Sequence, residues 1–186
     1  MGIKYYIERL IYRDKIKYAK HIGVKIGNDC RFSGLPDFGS EPYLVEIGNH
    51  CLIAGGVSFI THDSGNFVFR QKSRYKKTMK FGRIKIEDNV YIGVRTIIMP
   101  GVTIGTNSII GAGSIVTKDV PKGVVVAGVP AKTIKTVEEY AETLLSKMPE
   151  YDENLLKTNR KKGILEFLEK YEEKNKVTND KLKKRF

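Results

Sequence analysis

Between residues 86 and 120 the chain keeps one sixfold period without a break. Aliphatic residues return at Ile86, Ile92, Ile98, Ile104, Ile110 and Val116, and smaller ones follow four places later at Val90, Thr96, Val102, Ser108, Ser114 and Val120. So short a fixed period forces every repeat into the same local conformation, and it excludes a helix, whose 3.6-residue stripe cannot fit consecutive hexads. In an extended segment residues two apart share a side, so Val90 and Ile92, or Ser108 and Ile110, both point inward. Between them fall triplets such as Met99-Pro100-Gly101, Gly105-Thr106-Asn107 and Gly111-Ala112-Gly113, whose residues accept positive φ or preset a turn. The pattern predicts short flat strands joined by tight corners, wound into a coil around one apolar stripe.

This pattern, together with the run GAGSIVTKDVPKGVVVAGVPAKTIK at 111–135, resembles the hexapeptide-repeat acyltransferases, and especially the sugar O-acetyltransferases of the maltose and galactoside acetyltransferase type. The resemblance covers positions 24–135. It implies a mainly β chain built as a left-handed parallel β-helix with three hexapeptides per coil. Periodicity alone gives a parallel coil but not its hand, and a left-handed crossover departs from the usual rule.

Around that core the sequence divides as follows. Residues 1–20 place Ile3, Ile7, Leu10 and Ile11 at helical spacing among Lys4, Arg9, Arg13 and Lys15, which reads as a helix capping the open end of the coil in preference to a membrane-surface helix. Tyr6 stands where a myristoylation signal has Ser or Thr. In the coil domain, 21–135, Ile26 with Cys30, Phe32, Ile47 with Cys51, Ile53 with Val57, and Phe59 continue the inward set. Cys30 and Cys51 are expected to stack in adjacent coils as reduced thiols. After Lys135 the period changes. Thr136 followed by Glu139 forms a capping box opening a helix that Pro149 ends. Leu155, Leu156, Ile164, Leu165, Leu168 and Tyr171 predict one or two more helices to residue 175, with Gly163 as a weak point. The basic tail 176–186 is expected to be disordered.

If the hexads beginning at 47, 53 and 59 form one coil, and the next coils begin at Ile86 and Ile104, then Ile60-Thr61-His62 stacks beneath Met99-Pro100-Gly101 and Thr117-Lys118-Asp119. His62 is then on an outer edge of the prism, aligned with Lys118. The repeat is interrupted there by an insertion, 63–83, carrying Arg70, Lys72, Arg74, Lys76, Lys77, Lys80 and Arg83 against the single acid Asp63. Long irregular loops in compact repeats are more often functional than decorative.

By resemblance, the segment FITHDSG holds the catalytic histidine, His62. A base that titrates near neutrality is what the chemistry needs, because a sugar hydroxyl does not ionise unaided before attacking the thioester carbonyl of acetyl-CoA. Direct transfer requires no Ser or Cys nucleophile. The group orienting the imidazole is left open among Asp37, Glu41 and a backbone carbonyl; Asp63 is adjacent, but neighbouring extended residues diverge. The resemblance also implies a donor site in which Ala112, Thr117 and Lys118 line the pantetheine arm and Lys132 and Lys135 meet the nucleotide phosphates. Tyr91 replaces a common Trp in the hexad of Gly93, and Val94 departs from the family's hydroxyl residue. Asp37, Asp63, Arg74, Lys76 and Lys77 are assigned to the acceptor side.

The formal net charge of +12 implies acidic partners, which composition leaves open among nucleic acid, a membrane surface and phosphorylated or carboxylated small molecules. No apolar run is long enough to span a bilayer and no signal core opens the chain, so a cytoplasmic protein without stable membrane insertion is expected. A γ-class carbonic anhydrase needs three zinc histidines, and His21, His50 and His62 lack that spacing. A nucleic-acid-binding scaffold would explain the charge but lacks a recognised motif. The reading is an acetyl-CoA-dependent O-acetyltransferase, without a metal, acting on a sugar or polysaccharide precursor, with an anionic acceptor favoured and nucleic acid not a partner. The resemblance implies a homotrimer with sites between protomers. Antibiotic O-acetylation and amino-sugar N-acetylation are the alternatives.

Overall fold

The computed structural model describes residues 14–183, with side chains described to residue 176. The apolar residues at 3–11 therefore lie outside the described residues. The chain divides into two units, Met1–Val137 and Glu138–Phe186.

In the first unit the sixfold period becomes a parallel coil of three sheets. The strands in chain order are β1 Lys25–Ile26, β2 Arg31–Phe32, β3 Val45–Ile47, β4 Leu52–Ile53, β5 Ser58–Phe59, β6 Ile84–Ile86, β7 Tyr91–Ile92, β8 Ile97–Ile98, β9 Thr103–Ile104, β10 Ile109–Ile110, β11 Ile115–Val116, β12 Val124–Gly128 and β13 Ala131–Thr136. The first sheet is β1-β3-β6-β9, the second β2-β4-β7-β10-β12-β13 and the third β5-β8-β11. Successive strands thus visit the three faces of a prism in turn. Every third strand stacks on the one below in parallel, with Ile47 on Ile86 on Ile104 and Phe59 on Ile98 on Val116.

The inward column supplies the core. Ile53, Phe59, Ile84, Ile92, Ile98, Ile104 and Ile110 are completely buried, and truncating any one of these isoleucines to Ala should cost about 2–5 kcal/mol. The small inward positions include Thr96, Ser108 and Ser114, all buried. Their hydroxyls donate to Gly93 O at 2.8 Å, Pro121 O at 2.9 Å and Gly111 O at 2.6 Å, so corner carbonyls satisfy them. Along the edge between the first and second sheets the third corner residue is left-handed in every coil: Asp29, His50, Asn89 and Asn107 have φ between +53 and +58, and Gly123 has φ +73. Asn, Asp and His are the non-glycine residues most enriched in that conformation, which accounts for His50 as a corner residue.

Helix α1, Lys15–His21, is capped by Asp14, whose carboxylate accepts from Ile16 N and Lys17 N. It buries Tyr18 and Ala19, and Ala19 packs into the same core as Val24 and Phe32. Helix α1 therefore covers the core of the first coil. Cys30 and Cys51 are free thiols stacked one coil apart, donating to Gly48 O and Glu87 O at 3.1 Å each.

The coil does not run on to residue 135. After β12 the chain reverses, and β13 pairs antiparallel to β12 from Val124↔Thr136 to Gly128↔Ala131.

In the second unit, Glu138–Phe186, α2 spans Val137–Lys147, Pro149 follows, and α3 Glu153–Thr158 and α4 Arg160–Lys183 complete it. One expectation is corrected here. Gly163 is buried inside α4 where an added Cβ would stand 2.9–3.0 Å from Leu156 of α3, so it permits close helix packing instead of weakening the helix. Helix α4 is assigned as far as Lys183, and the expectation for the tail at 176–186 stays as the sequence gives it.

Candidate active site

The edge between the third and first sheets is where the repeat opens. The insertion leaves after His62 and returns beside it. His62 and Phe81 form an antiparallel bridge, Asp63 N donates to Lys80 O at 3.0 Å, and Gly82 N donates to Thr61 O at 2.8 Å. The loop is internally braced: Asn66 Nδ2 donates to Thr78 O at 2.5 Å, Phe69 meets Tyr75 edge-on at 5.7 Å, and Arg74 lies over the Tyr75 ring. His62 is thus held at the mouth of a folded insertion, on the edge that the hexad register predicts.

Glu41 completes the constellation. It lies in the irregular connection before β3, immediately ahead of a short 3₁₀ turn at Pro42–Leu44. One carboxylate oxygen, Oε2, accepts from Thr61 Oγ1 at 2.7 Å and stands 2.8 Å from His62 Nδ1. These bonds, first from the Thr61 hydroxyl and then from the His62 ring, hold the Glu41 carboxyl below its ordinary value of 4.5. An ionised carboxylate only accepts, so Nδ1 carries the proton and Nε2 is left with the basic lone pair. Thr61 is buried, Glu41 is largely covered and the His62 side chain is 38% exposed, with its ring 6.0 Å from that of Phe81. The arrangement leaves one ring nitrogen of His62 oriented by Glu41 and the other available.

Of the three orienting groups left open by the sequence, the geometry selects Glu41. Asp37 instead turns its carboxylate back to Gly39 N at 3.0 Å, and Asp63 accepts from Gly65 N at 2.8 Å and pairs with Lys80 at 3.1 Å. Arg74, Lys76 and Lys77 are exposed on the insertion. The donor-side residues do not gather on one edge of a single chain. Counting three places on from the Phe59, Ile98, Val116 column puts His62 level with Gly101 and Asp119; Lys118 is level with Thr61, one place from the expected alignment. Thr117 and Lys118 are therefore on the His62 edge. Gly93 and Ala112 are on the next edge, between the second and third sheets, where a Cβ on Gly93 would stand 2.5 Å from Ala112 N. Tyr91 faces outward on the second sheet, and Lys132 and Lys135 are on β13 of that sheet.

Two other features of the coil do not form sites. A groove of about 620 Å³ runs along the first sheet, but its Glu87 accepts from Thr106 and its Asp88 from Asn49, so these acids serve the corners. Among the described residues no three His, Cys, Asp or Glu side chains gather as a metal site, and His50 and His62 occupy different edges.

Residues 83–118 match the bacterial transferase hexapeptide family model of six repeats. Protein CapG of Staphylococcus aureus is 48% identical over 161 residues, covering 86% of this chain and 90% of that protein. Among solved structures, the polySia-specific acetyltransferase NeuO aligns with a TM-score of 0.53 at 34% identity, over 61% of this chain and 51% of that one. A galactoside acetyltransferase in complex with coenzyme A aligns with a TM-score of 0.50 at 27% identity, over 76% of this chain and 86% of that one. With its left-handed parallel β-helix, its matched repeats and a relative similar along nearly its whole length, the chain belongs to the hexapeptide-repeat family of acetyltransferases.

Proposed function

We propose that this protein transfers an acetyl group from acetyl-CoA to a hydroxyl of a sugar or polysaccharide precursor, with His62 as general base. The observation that carries the reading is the 2.8 Å contact of His62 Nδ1 with the Glu41 carboxylate. It leaves Nε2 as the proton acceptor on an open edge. Nε2 takes the hydroxyl proton as the oxygen attacks the thioester carbonyl; as the carbon–sulfur bond breaks, the same proton passes to the departing thiolate. Glu41 stabilises the imidazolium that forms between these two transfers. No covalent enzyme intermediate is needed.

On the donor side, Ala112, Thr117 and Lys118 would contact the pantetheine arm, Tyr91 and Gly93 would contribute to the same site, and Lys132 and Lys135 would meet phosphates. Their division between two edges and a face supports a homotrimer, in which the His62 edge of one protomer meets the donor edge of the next. Light scattering that shows an active monomer at assay concentration would remove this element. On the acceptor side, Arg74, Lys76 and Lys77 favour an anionic glycan, and Asp37 and Asp63 would serve only as acceptors for its hydroxyls. The similarity to a protein named for polySia points the same way.

The test is a panel of donors and acceptors, read by free-thiol release from acetyl-CoA and by the mass shift of the acceptor. A gain of one acetyl group on a glycan hydroxyl is expected. Transfer only to antibiotic hydroxyls or to amino groups would replace this reading with one of the alternatives, and no thiol release with any acceptor would reject it.

A further inference from the structure

The buried hydroxyls of the coil divide into two kinds. Thr61, Thr96, Ser108 and Ser114 are the buried polar side chains among the described residues, each at most 2% exposed. Thr96, Ser108 and Ser114 donate to the backbone carbonyls of Gly93, Pro121 and Gly111, and so close corners. Of the four, Thr61 alone donates to a side chain, Glu41 Oε2, at 2.7 Å. The coil does not impose its burial. Pro100 and Lys118, level with Thr61 in the coils above, are half-buried and exposed. The irregular connection before β3 covers Thr61 instead: a Cβ on Gly39 would touch Thr61 Oγ1 at 3.9 Å, and Glu41 follows two residues on. Thr61 is buried within a single chain, so its burial does not depend on how protomers assemble.

One carboxylate oxygen thus takes two donors, Thr61 Oγ1 at 2.7 Å and His62 Nδ1 at 2.8 Å. The last torsion of a glutamate is soft, with broad two-fold wells, so the ring contact alone would leave the carboxylate able to turn. With one lone pair of Oε2 occupied by the Thr61 hydroxyl, the other is directed at Nδ1. The hydroxyl is held still in turn: a β-branched side chain is stiff at χ1, and the Thr61 carbonyl accepts from Gly82 N at 2.8 Å. The Thr61 bond is also the first cause, ahead of the His62 ring, that keeps the Glu41 carboxyl below its ordinary 4.5. We propose that Thr61 is a positioning residue of the reaction: its hydroxyl holds the Glu41 carboxylate in the orientation that keeps the proton of the neutral His62 ring on Nδ1 and leaves Nε2 to take the acceptor's proton. This rests on the reading of His62 as the base. Thr61 acts through Glu41 and touches no reacting atom.

The experiment compares the full-length parent with Thr61→Val, which keeps the shape and removes the donor, and with Thr61→Ser, which keeps the donor. Thr61→Ala, which adds no new contact, repeats the first comparison should Thr61→Val fail to fold. The tautomer of His62 is read without substrate from proton–nitrogen correlations of the histidine rings at about pH 9, where an imidazole is neutral, and His62→Asn assigns the signal. The parent should carry its proton on Nδ1, Thr61→Val should move toward the Nε2–H form, and Thr61→Ser should stay with the parent. Thiol release by Thr61→Val should fall about tenfold, with KM for acetyl-CoA and for the acceptor within about twofold of the parent's, and Thr61→Ser should recover most of that loss. In a Glu41→Ala background, adding Thr61→Val should change turnover by less than about twofold, because no carboxylate is left to orient. An unchanged tautomer in Thr61→Val would overturn the proposal. So would a tenfold loss that persists without Glu41, or a loss that Thr61→Ser does not recover, either of which would make Thr61 a packing residue. Parent-like turnover in His62→Asn would overturn the base reading and the role of Thr61 in the reaction with it; failure of the positioning itself is told apart from that result by the tautomer, which is read without turnover.

Discussion

Gly82→Ala is a perturbation that touches no reacting group and should nonetheless disable the enzyme. Gly82 is where the insertion rejoins the coil, and its N–H donates to Thr61 O at 2.8 Å. A Cβ there would stand 2.2 Å from Gly101 N and 2.6 Å from Pro100 C, whereas ordinary contact begins at 3.4 Å. The returning arm must therefore move by about 1.2 Å, the difference between 3.4 and 2.2 Å. Backbone on both sides leaves no flexible side chain to absorb this. Thr61 and His62 are tied to the arm through the Gly82 bond and the Phe81 bridge, so the displacement reaches the base. A misplacement of about 1 Å can lower turnover about 100-fold. The core column is untouched, and overpacking of this kind costs about 1–3 kcal/mol, or roughly 2–12 °C in Tm for a chain of this size. Steady-state turnover and a calorimetric melt should show a large fall in kcat with a modest fall in Tm and nearly unchanged acetyl-CoA affinity. Parent-like kcat in a variant whose Tm has dropped would show that loop re-entry does not set the geometry of His62.

Replacing Glu41 by Gln keeps the shape but removes the charge facing Nδ1, and should lower kcat about 10- to 100-fold with little change in acetyl-CoA affinity. Because the Glu41 carboxyl is held below its ordinary 4.5, the stability it contributes is fully present above that value and lost as pH falls through the lowered folded value. The Tm difference between parent and Glu41→Gln, measured across pH, should accordingly be largest near neutrality and shrink in acid. Changing Arg74, Lys76 and Lys77 together to Ser should raise KM for an anionic acceptor and leave KM for acetyl-CoA and for a neutral analogue in place; movement of the acetyl-CoA term alone would make the loop a donor clamp. Burial pushes the Cys51 thiol up to about 11, so iodoacetamide at mildly alkaline pH should label Cys51 only after denaturant is added, as read by peptide mass.

The parts of this protein governed by period are legible in its sequence. The sixfold spacing of Ile86 to Val116 leads to the coil, and hexad counting leads to the edge on which His62 stands. Inward cysteines at 30 and 51 follow from the same counting. What the period does not reach is less legible. Glu41 sits outside any hexad, so sequence spacing could not decide between it and Asp37; only the path of the connection into Pro42–Leu44 brings Oε2 to His62. The Thr61 hydroxyl, which shares that oxygen, carried a usable signal: it immediately precedes His62 and occupies the polar corner. Gly163 looks like a helix weak point along one strand of sequence and becomes a packing contact only when Leu156 of another helix is placed beside it. The reversal of β13 on β12 falls after the last regular hexad, where the spacing of Ala131 and Ile134 does not set an antiparallel return apart from a further coil.

On the reading proposed above, His62, oriented by Glu41, is the base for acetyl transfer. Its most direct test is His62→Asn, measured for turnover by thiol release and acceptor mass and for acetyl-CoA affinity by titration calorimetry on the same folded preparation. Turnover should fall about 10²- to 10⁴-fold while acetyl-CoA affinity stays close to the parent's, because a general base acts in the transition state. Turnover near the parent's in a variant with the parent's Tm would contradict the account and remove His62 from the chemistry.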